Sequence, residues 1–252
     1  MYKSMNYNPF SLFRKTILIT GASSGIGRAA AIECSRMGAR LIITARNEER
    51  LTETLTQLEG EGHEMRLCDL ADSEQIDDLV ASLPVLQGLV NNAGVTQMIP
   101  VQFIKPETLR SIVELNAVAP IALLQRLVKK KKLAKGASVV FTSSISALGA
   151  AAIGNAMYSA SKGMVSSFIR VAALELASKK IRVNAVCPGM INTKMIANDL
   201  ISEREAEQIA AYPLRRYGEP NDVAWAMVYL LSDASSWVTG TNMIIDGGLT
   251  IT

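Results

Sequence analysis

Short runs of β-branched and aliphatic residues alternate along the chain with longer stretches whose apolar positions recur every three to four residues. The strand-like runs are Thr16–Thr20, Arg40–Thr44, Glu64–Cys68, Gly88–Asn91, Ser138–Thr142, Arg182–Val186 and Met243–Ile245. Between them lie helix-like stretches at Ile26–Met37, Glu48–Glu59, Ser73–Leu83, Glu107–Lys130 and Met157–Ser178. Two more, Glu203–Ala210 and Pro220–Ser232, precede the last strand. Runs such as Leu41-Ile42-Ile43 are continuously apolar, as expected of strands buried on both faces. The pattern predicts an α/β fold: one doubly wound parallel sheet of about seven strands, with helices on both faces and right-handed crossovers. No linker, repeat or composition break divides it. We read residues 15–252 as a single domain and residues 1–14 as an N-terminal extension.

Such a sheet binds ligands beyond the carboxyl ends of its strands, where strand order reverses. Thr20-Gly21-Ala22-Ser23-Ser24-Gly25-Ile26-Gly27 stands at such a place, after the first strand and opening the first helix. Gly21 suits a tight turn, Gly25 lets backbone approach a pyrophosphate, and Gly27 lets the helix pack close to the sheet. Free N–H groups at the helix start would face the phosphates. The domain therefore reads as Rossmann-type and dinucleotide-binding, although the spacing differs from G-x-G-x-x-G. The same residues match the G-x-S-x-G nucleophile elbow of α/β-hydrolases. That fold needs a histidine late in the chain, whereas the single histidine, His63, comes early in a polar turn. The hydrolase reading falls.

Tyr158 and Lys162 share a face at the start of a long predicted helix. A phenol starts near pKa ~10, and a neighbouring ammonium favours the phenolate. Such a tyrosine can give a proton to a carbonyl oxygen or take one from an alcohol.

Composition narrows the classes. The 26 basic and 23 acidic residues leave a net charge of +3, too little for a nucleic-acid coat. A hydrophobic share of 49% is enough to build a core and excludes disorder. Cys34, Cys68 and Cys187 are scattered and odd in number, which argues against a disulfide scaffold and fits the cytoplasm. With one histidine and no cysteine cluster, a zinc site is excluded and no metal is expected. Residues 1–15 lack the apolar stretch of a signal peptide, and Val139–Tyr158 is too polar to span a membrane.

Taken together, the motifs resemble the short-chain dehydrogenase/reductase family from about Lys15 to Gly248. They are Thr20–Gly27, Asn91-Asn92-Ala93-Gly94, Asn116, Ser144, Tyr158-x-x-x-Lys162, Pro188-Gly189, and Thr239-Gly240-Thr241-Asn242 with Asp246-Gly247-Gly248. The overall pattern is most similar to 3-oxoacyl-[acyl-carrier-protein] reductases. The resemblance implies that Tyr158 is the general acid/base and that Lys162 lowers its pKa while holding the nicotinamide ribose. It implies that Ser144 bonds the substrate oxygen and that Asn116 supports a water-linked proton path toward Lys162. By the same resemblance Gly21, Ser23, Ser24, Gly25, Ile26 and Gly27 form the phosphate turn, and Asn92, Ala93 and Gly94 line the adenine-ribose side. Asp69, with Leu70, would contact adenine, and Pro188, Gly189, Ile191 and Thr193 would cover the nicotinamide.

The chain departs from the family in two places. Ser144 and Tyr158 are 14 positions apart, one more than the family's usual spacing, and the loop Ala147–Asn155 is expected to absorb the difference. Ser143 and Ser146 are alternatives to Ser144, which is preferred because Phe141-Thr142-Ser143-Ser144 matches the family's strand end. Leu86-Gln87-Gly88-Leu89 also lacks the acidic residue usual before Asn91, with no catalytic meaning attached.

The end of strand two selects the cofactor. Dinucleotide folds that prefer NAD place an acid there to accept from the ribose 2′-OH. Here Ile43-Thr44-Ala45-Arg46-Asn47 has no acid before Glu48, and Arg46 offers a charged fork for a 2′-phosphate, with Ser23 adding a hydroxyl. NADP(H) is therefore expected, with NAD(H) as the alternative, although Ser24 replaces a second base carried by many NADP-using relatives. The expected activity is hydride transfer between nicotinamide and a keto or secondary alcohol group. The substrate is 3-oxoacyl-[acyl-carrier-protein] or, alternatively, a sugar, polyol or steroid. The substrate pocket falls at Ala147–Asn155 and Met190–Arg216, with Met190 and Met195 in the segment that closes over it. A non-catalytic dinucleotide sensor is the rival from another class, disfavoured because all four catalytic positions are present.

Lys129–Lys132 with Lys135 reads as a solvated helix end, or alternatively as a dock for acyl carrier protein extended by Lys179 and Lys180. The family resemblance further implies a homotetramer, or a dimer, packed through the two long helices and the C-terminal Leu249–Thr252.

Overall fold

The computed structural model describes residues 7–193 and 208–251. Seven strands, β1 (Thr16–Thr20), β2 (Arg40–Ala45), β3 (Glu64–Leu67), β4 (Leu86–Asn91), β5 (Leu133–Thr142), β6 (Arg182–Pro188) and β7 (Asn242–Ile245), form one sheet. Its order is β3-β2-β1-β4-β5-β6-β7, with every neighbouring pair parallel. The chain winds outward from β1 in one direction and from β4 in the other. The reversal between β1 and β4 opens a crevice at the strands' carboxyl ends.

The helices are α1 (Gly25–Arg36), α2 (Glu48–Leu55), α3 (Ser73–Ser82), α4 (Pro106–Val113), α5 (Ala119–Lys129), α6 (Ala156–Leu176) and α7 (Pro220–Leu231). Successive strand side chains point to opposite faces, so each apolar run feeds two cores. Leu18, Val139 and Phe141 pack with Leu79 of α3, Leu123 of α5 and Ile169 of α6. Ile17, Ile19, Val140 and Val186 turn the other way, onto Ala30 and Cys34 of α1 and Met227 of α7. Ahead of β1, Leu12 is fully buried and its N–H donates to the Met37 carbonyl at 2.8 Å. The Phe10 ring meets Tyr229 of α7 at 6.2 Å.

Three elements differ from the sequence pattern. The helix expected to run to Glu59 ends at Leu55, because the chain peels off to dock on α1, where the Glu59 N–H donates to Ser35 Oγ at 3.0 Å. Strand β5 starts at Leu133, five residues early, pairing there with Leu86 across a register shift. The expected single helix over 107–130 is broken by a π-helical turn, Glu114–Val118, between α4 and α5. Pro120 has no N–H to give the Asn116 carbonyl four residues earlier, which favours widening the helix there. The Glu203–Ala210 helix and Met195 lie largely or wholly outside the described residues.

Among the described residues, Pro106–Lys129 is the one helical stretch long and apolar enough to cross a membrane. Half of it is buried within the fold, as in the core helix of a globular domain. His63 ties its turn to β2: its Nδ1 accepts from the Leu41 N–H at 3.1 Å and its Nε2 meets the Glu59 carbonyl at 2.9 Å.

Candidate active site

A cleft of about 800 Å³ opens over the carboxyl ends of β1, β2, β4, β5 and β6. Its size is near the top of the range for small-molecule sites. The glycine turn forms one wall. Gly21 and Gly25 have φ of +64° and +52°, the left-handed region that glycine enters freely. A Cβ on Gly21 would lie 2.8 Å from the Ala93 Cα, so the turn and the Asn92–Gly94 loop are in backbone contact. Ser24 is the N-cap of α1, yet its hydroxyl makes no capping bond. The first N–H groups of the helix therefore remain available to an anion. A Cβ on Gly94 would approach Asn116 Oδ1 at 3.1 Å and Lys162 Nζ at 3.4 Å, so only a bare backbone leaves that floor open. These features fit a dinucleotide lying across the crevice.

The opposite wall comes from β5, α6 and the segment after β6. Tyr158 and Lys162 stand one turn apart on α6, with Lys162 Nζ 5.6 Å from the Tyr158 ring centroid. Lys162 is 3% exposed and donates to the Thr142 carbonyl at 2.7 Å. Burial pushes its pKa down to about 8. The Tyr158 phenol is pushed above its ordinary value by burial, and a hydrogen bond with the Ser144 hydroxyl pulls the other way. Desolvation outweighs that bond, while the Lys162 ammonium gives its own hydrogen bond to Thr142.

The three candidate serines separate by their bonds. Ser143 is turned into the protein, bonding the Lys162 carbonyl at 3.1 Å and Ser166 Oγ at 2.7 Å. Ser146 bridges Ser144 Oγ at 3.0 Å and Asn155 Nδ2 at 3.2 Å. Ser144 is the one that faces the Tyr158 phenol. Cys187, beneath them, has its thiol pushed up to about 11 by burial, so it stays protonated.

Of the catalytic and cofactor-binding residues expected from the sequence, all but two line this cleft: Gly21, Ser23 to Ile26, Arg46, Asp69, Leu70, Asn92 to Gly94, Ser144, Tyr158, Lys162, Pro188, Gly189, Ile191 and Thr193. The exceptions are Gly27 and Asn116. Gly27 lies behind the wall, where a Cβ would sit 2.2 Å from the Gly21 carbonyl oxygen. Asn116 is 1% exposed, and its side chain is fully engaged. Its Oδ1 accepts from the Val95 N–H at 2.8 Å, and its Nδ2 donates to the Val95 carbonyl at 2.8 Å and to Ser161 Oγ at 3.1 Å. Ser161 Oγ in turn donates to the Tyr158 carbonyl at 2.7 Å. The Asn116 side chain thus positions the Val95 loop and the first turn of α6.

Sequence reasoning missed the wall after β4, where Val95, Thr96 and Met98 line the cleft, and also Arg50 of α2. The rule that ligands sit beyond strand ends could have flagged Val95–Met98. Arg50 carries no local signal. At the adenosine end, Arg46 Nη1 leans on Asp69 Oδ2 at 3.5 Å, an exposed pair worth at most ~1 kcal/mol.

The family model described as enoyl-(acyl carrier protein) reductase matches residues 21–250. The chain belongs to the short-chain dehydrogenase/reductase family. It is 35% identical over 236 residues to the 3-oxoacyl-[acyl-carrier-protein] reductase FabG of Rickettsia felis, covering 93% of this chain and 96% of that protein. It is also 35% identical over 254 residues to the L-rhamnose 1-dehydrogenase (NAD(P)(+)) of Azotobacter vinelandii, covering 94% and 97%. A solved dehydrogenase/reductase from Sinorhizobium meliloti superposes with a TM-score of 0.87 at 29% identity, covering 96% of this chain and 97% of that one. The protein is thus an oxidoreductase of a family that uses NAD(P) and acts on CH–OH or keto groups, which removes the sensor reading.

Proposed function

We propose that this enzyme is an NADP(H)-dependent reductase of a keto group, run in reverse as a secondary alcohol dehydrogenase. The observation that carries the reading is the convergence of Ser144, Tyr158 and Lys162 on one wall of the cleft, with Arg46 and Ser23 at its far end. When bound, the nicotinamide cofactor supplies or accepts the hydride. The Ser144 hydroxyl and the Tyr158 phenol hold the substrate oxygen between them. Tyr158 releases its proton to that oxygen in reduction and recovers one in oxidation. A phenol whose pKa is raised by burial is fully protonated at neutral pH, as a donor must be. The phenolate it leaves is stabilised by Lys162, which Thr142 holds one turn away. Asn116 keeps the Val95 loop and α6 in register.

The substrate end favours an acyl or other weakly polar ketone. Met98, Ile145, Ala150, Ala151, Ala152 and Met190 line it, while the polar Ser146 and Asn155 are bonded to each other. A sugar or polyol would need unspent polar groups to read its hydroxyls. A 3-oxoacyl thioester is therefore our preferred substrate, and acyl carrier protein its natural carrier. The Lys129–Lys135 run marks the start of β5, roughly 30 Å from Ser144 at ~3.3 Å per residue.

A homotetramer, or a dimer, fits the apolar side chains that both long helices leave exposed: Val118, Met164, Val171 and Leu174. Three buried, unpaired cysteines suit the cytoplasm. We keep residues 15–252 as the dinucleotide-binding and catalytic domain, with 1–14 as an extension.

The test is initial rates with NADPH and NADH against acetoacetyl thioesters, ketosteroids and keto sugars. NADPH should exceed NADH by at least ~10-fold in kcat/KM, about 1.4 kcal/mol, and Arg46→Asp should reverse the order. Equal use of both cofactors would overturn the cofactor assignment. Turnover of keto sugars but not thioesters would overturn the substrate.

A further inference from the structure

We infer that Arg50 is a second anchoring residue for the adenosine phosphate of the cofactor and that, with Arg46, it sets the preference for the phosphorylated dinucleotide. This rests on the NADP(H) reading above and adds a residue that the glycine turn and strand end do not reveal.

Arg50 sits in the first turn of α2, where Asn47 Oδ1 accepts its backbone N–H at 2.8 Å. It lines the adenosine end of the cleft beside Arg46 and Ser23. The other cations nearby each have an acidic neighbour. Arg28 is paired with Glu53 at 2.9 Å, and Arg46 shares its charge with Asp69. Glu48 and Glu49 of the same helix turn do not line the cleft. Among the described residues, no ion pair holds the Arg50 guanidinium, whose residue is exposed. It is the cation left over to meet a dianion, and Ser24 adds only a hydroxyl.

Its position relative to the glycine turn is fixed by the frame behind it. Arg28 Nη2 donates to the Ser23 carbonyl at 2.7 Å and to the Arg50 carbonyl at 3.2 Å. Arg28 Nε donates to Thr54 Oγ1 at 3.0 Å, and Thr54 Oγ1 donates to the Ala22 carbonyl at 3.0 Å. One guanidinium and one hydroxyl therefore tie the turn and α2 into a single piece. Two forks, one from the strand end and one from the helix, then approach a phosphate from different sides. Bidentate recognition of this kind favours arginine over lysine.

The experiment is calorimetric titration of the purified full-length protein with NADP+ and with NAD+. Arg50→Ala should weaken NADP+ by about tenfold, or ~1.4 kcal/mol, and leave NAD+ within about twofold. Arg50→Lys should fall between. Alanine is a strong helix former, so α2 should survive the change. If Arg50→Ala weakens both cofactors equally, the residue acts only through α2 and the inference fails. It fails too if the ratio is unchanged while Arg46→Ala collapses it, and the NADP(H) reading then stands. A wild type that binds both cofactors equally overturns that reading together with this one.

Discussion

Gly27→Ala adds one methyl group at the place where the glycine turn, α1 and β4 meet. Its Cβ would lie 2.2 Å from the Gly21 carbonyl oxygen, 2.5 Å from Asn92 Nδ2 and 2.8 Å from the Gly21 carbonyl carbon. Real contacts of this kind begin near 3.0 Å, so helix and turn must part by about 0.8 Å. Overpacking of this kind costs ~1–3 kcal/mol. The Asn92-to-Gly21 hydrogen bond, at 3.3 Å, adds ~0.5–1.5 kcal/mol when it breaks. Alanine's helix preference returns ~0.8–1 kcal/mol. The net loss is about 2 kcal/mol, a fall in Tm of roughly 4–8 °C for a domain of this size. Because the same shift moves the phosphate turn, cofactor binding should weaken at least ~10-fold, given how steeply function depends on ~1 Å displacements. Thermal scans at fixed protein concentration and cofactor titration check both numbers. Gly163→Ala on α6 is the control, since its Cβ meets nothing within 4 Å in the chain. It should stabilise by ~0.4–1 kcal/mol. A Gly27→Ala variant with Tm within about 2 °C of wild type would refute the packing argument. A destabilised Gly163→Ala would mean that a second copy packs on α6 there.

Tyr158→Phe should leave cofactor affinity intact and lower turnover ~10²–10⁴-fold; retention of more than about a tenth, with chemistry rate-limiting, would reject it as the acid. Lys162, with its pKa lowered to about 8 by burial, disfavours the folded state fully below that pH and progressively less as pH rises toward its ordinary 10.5. Wild type should therefore gain roughly 2–3 kcal/mol relative to Lys162→Met between pH 7 and 10 in denaturant melts, and a flat difference would contradict the burial argument. Light scattering should give a tetramer, or a dimer, at micromolar concentration; a stable monomer would reject the assembly.

Periodicity, glycine placement and strand-end residues sufficed to predict the parallel α/β sheet and the cleft at its carboxyl edge, and the family resemblance supplied most of the residues lining it. Those signals are local. A strand buried on both faces must be apolar throughout, a tight turn needs glycine, and two groups on one helix face lie four residues apart. What tertiary structure decided depends on partners distant in sequence. Asn116 spends its side chain on Val95 and Ser161, and only packing α6 against the β4 loop brings these together. The direction of the Tyr158 pKa turned on burial outweighing the Ser144 hydrogen bond, a balance set by everything packed around the phenol. The helix over 107–130 reads as continuous, yet it opens into a π-turn at Glu114–Val118. Arg50 looks like any exposed helical arginine until Arg28 and Thr54 fasten α2 to the glycine turn. A sequence pattern records which face of an element is wet or dry, but long-range docking determines which polar groups are already paired and which are left to meet a ligand.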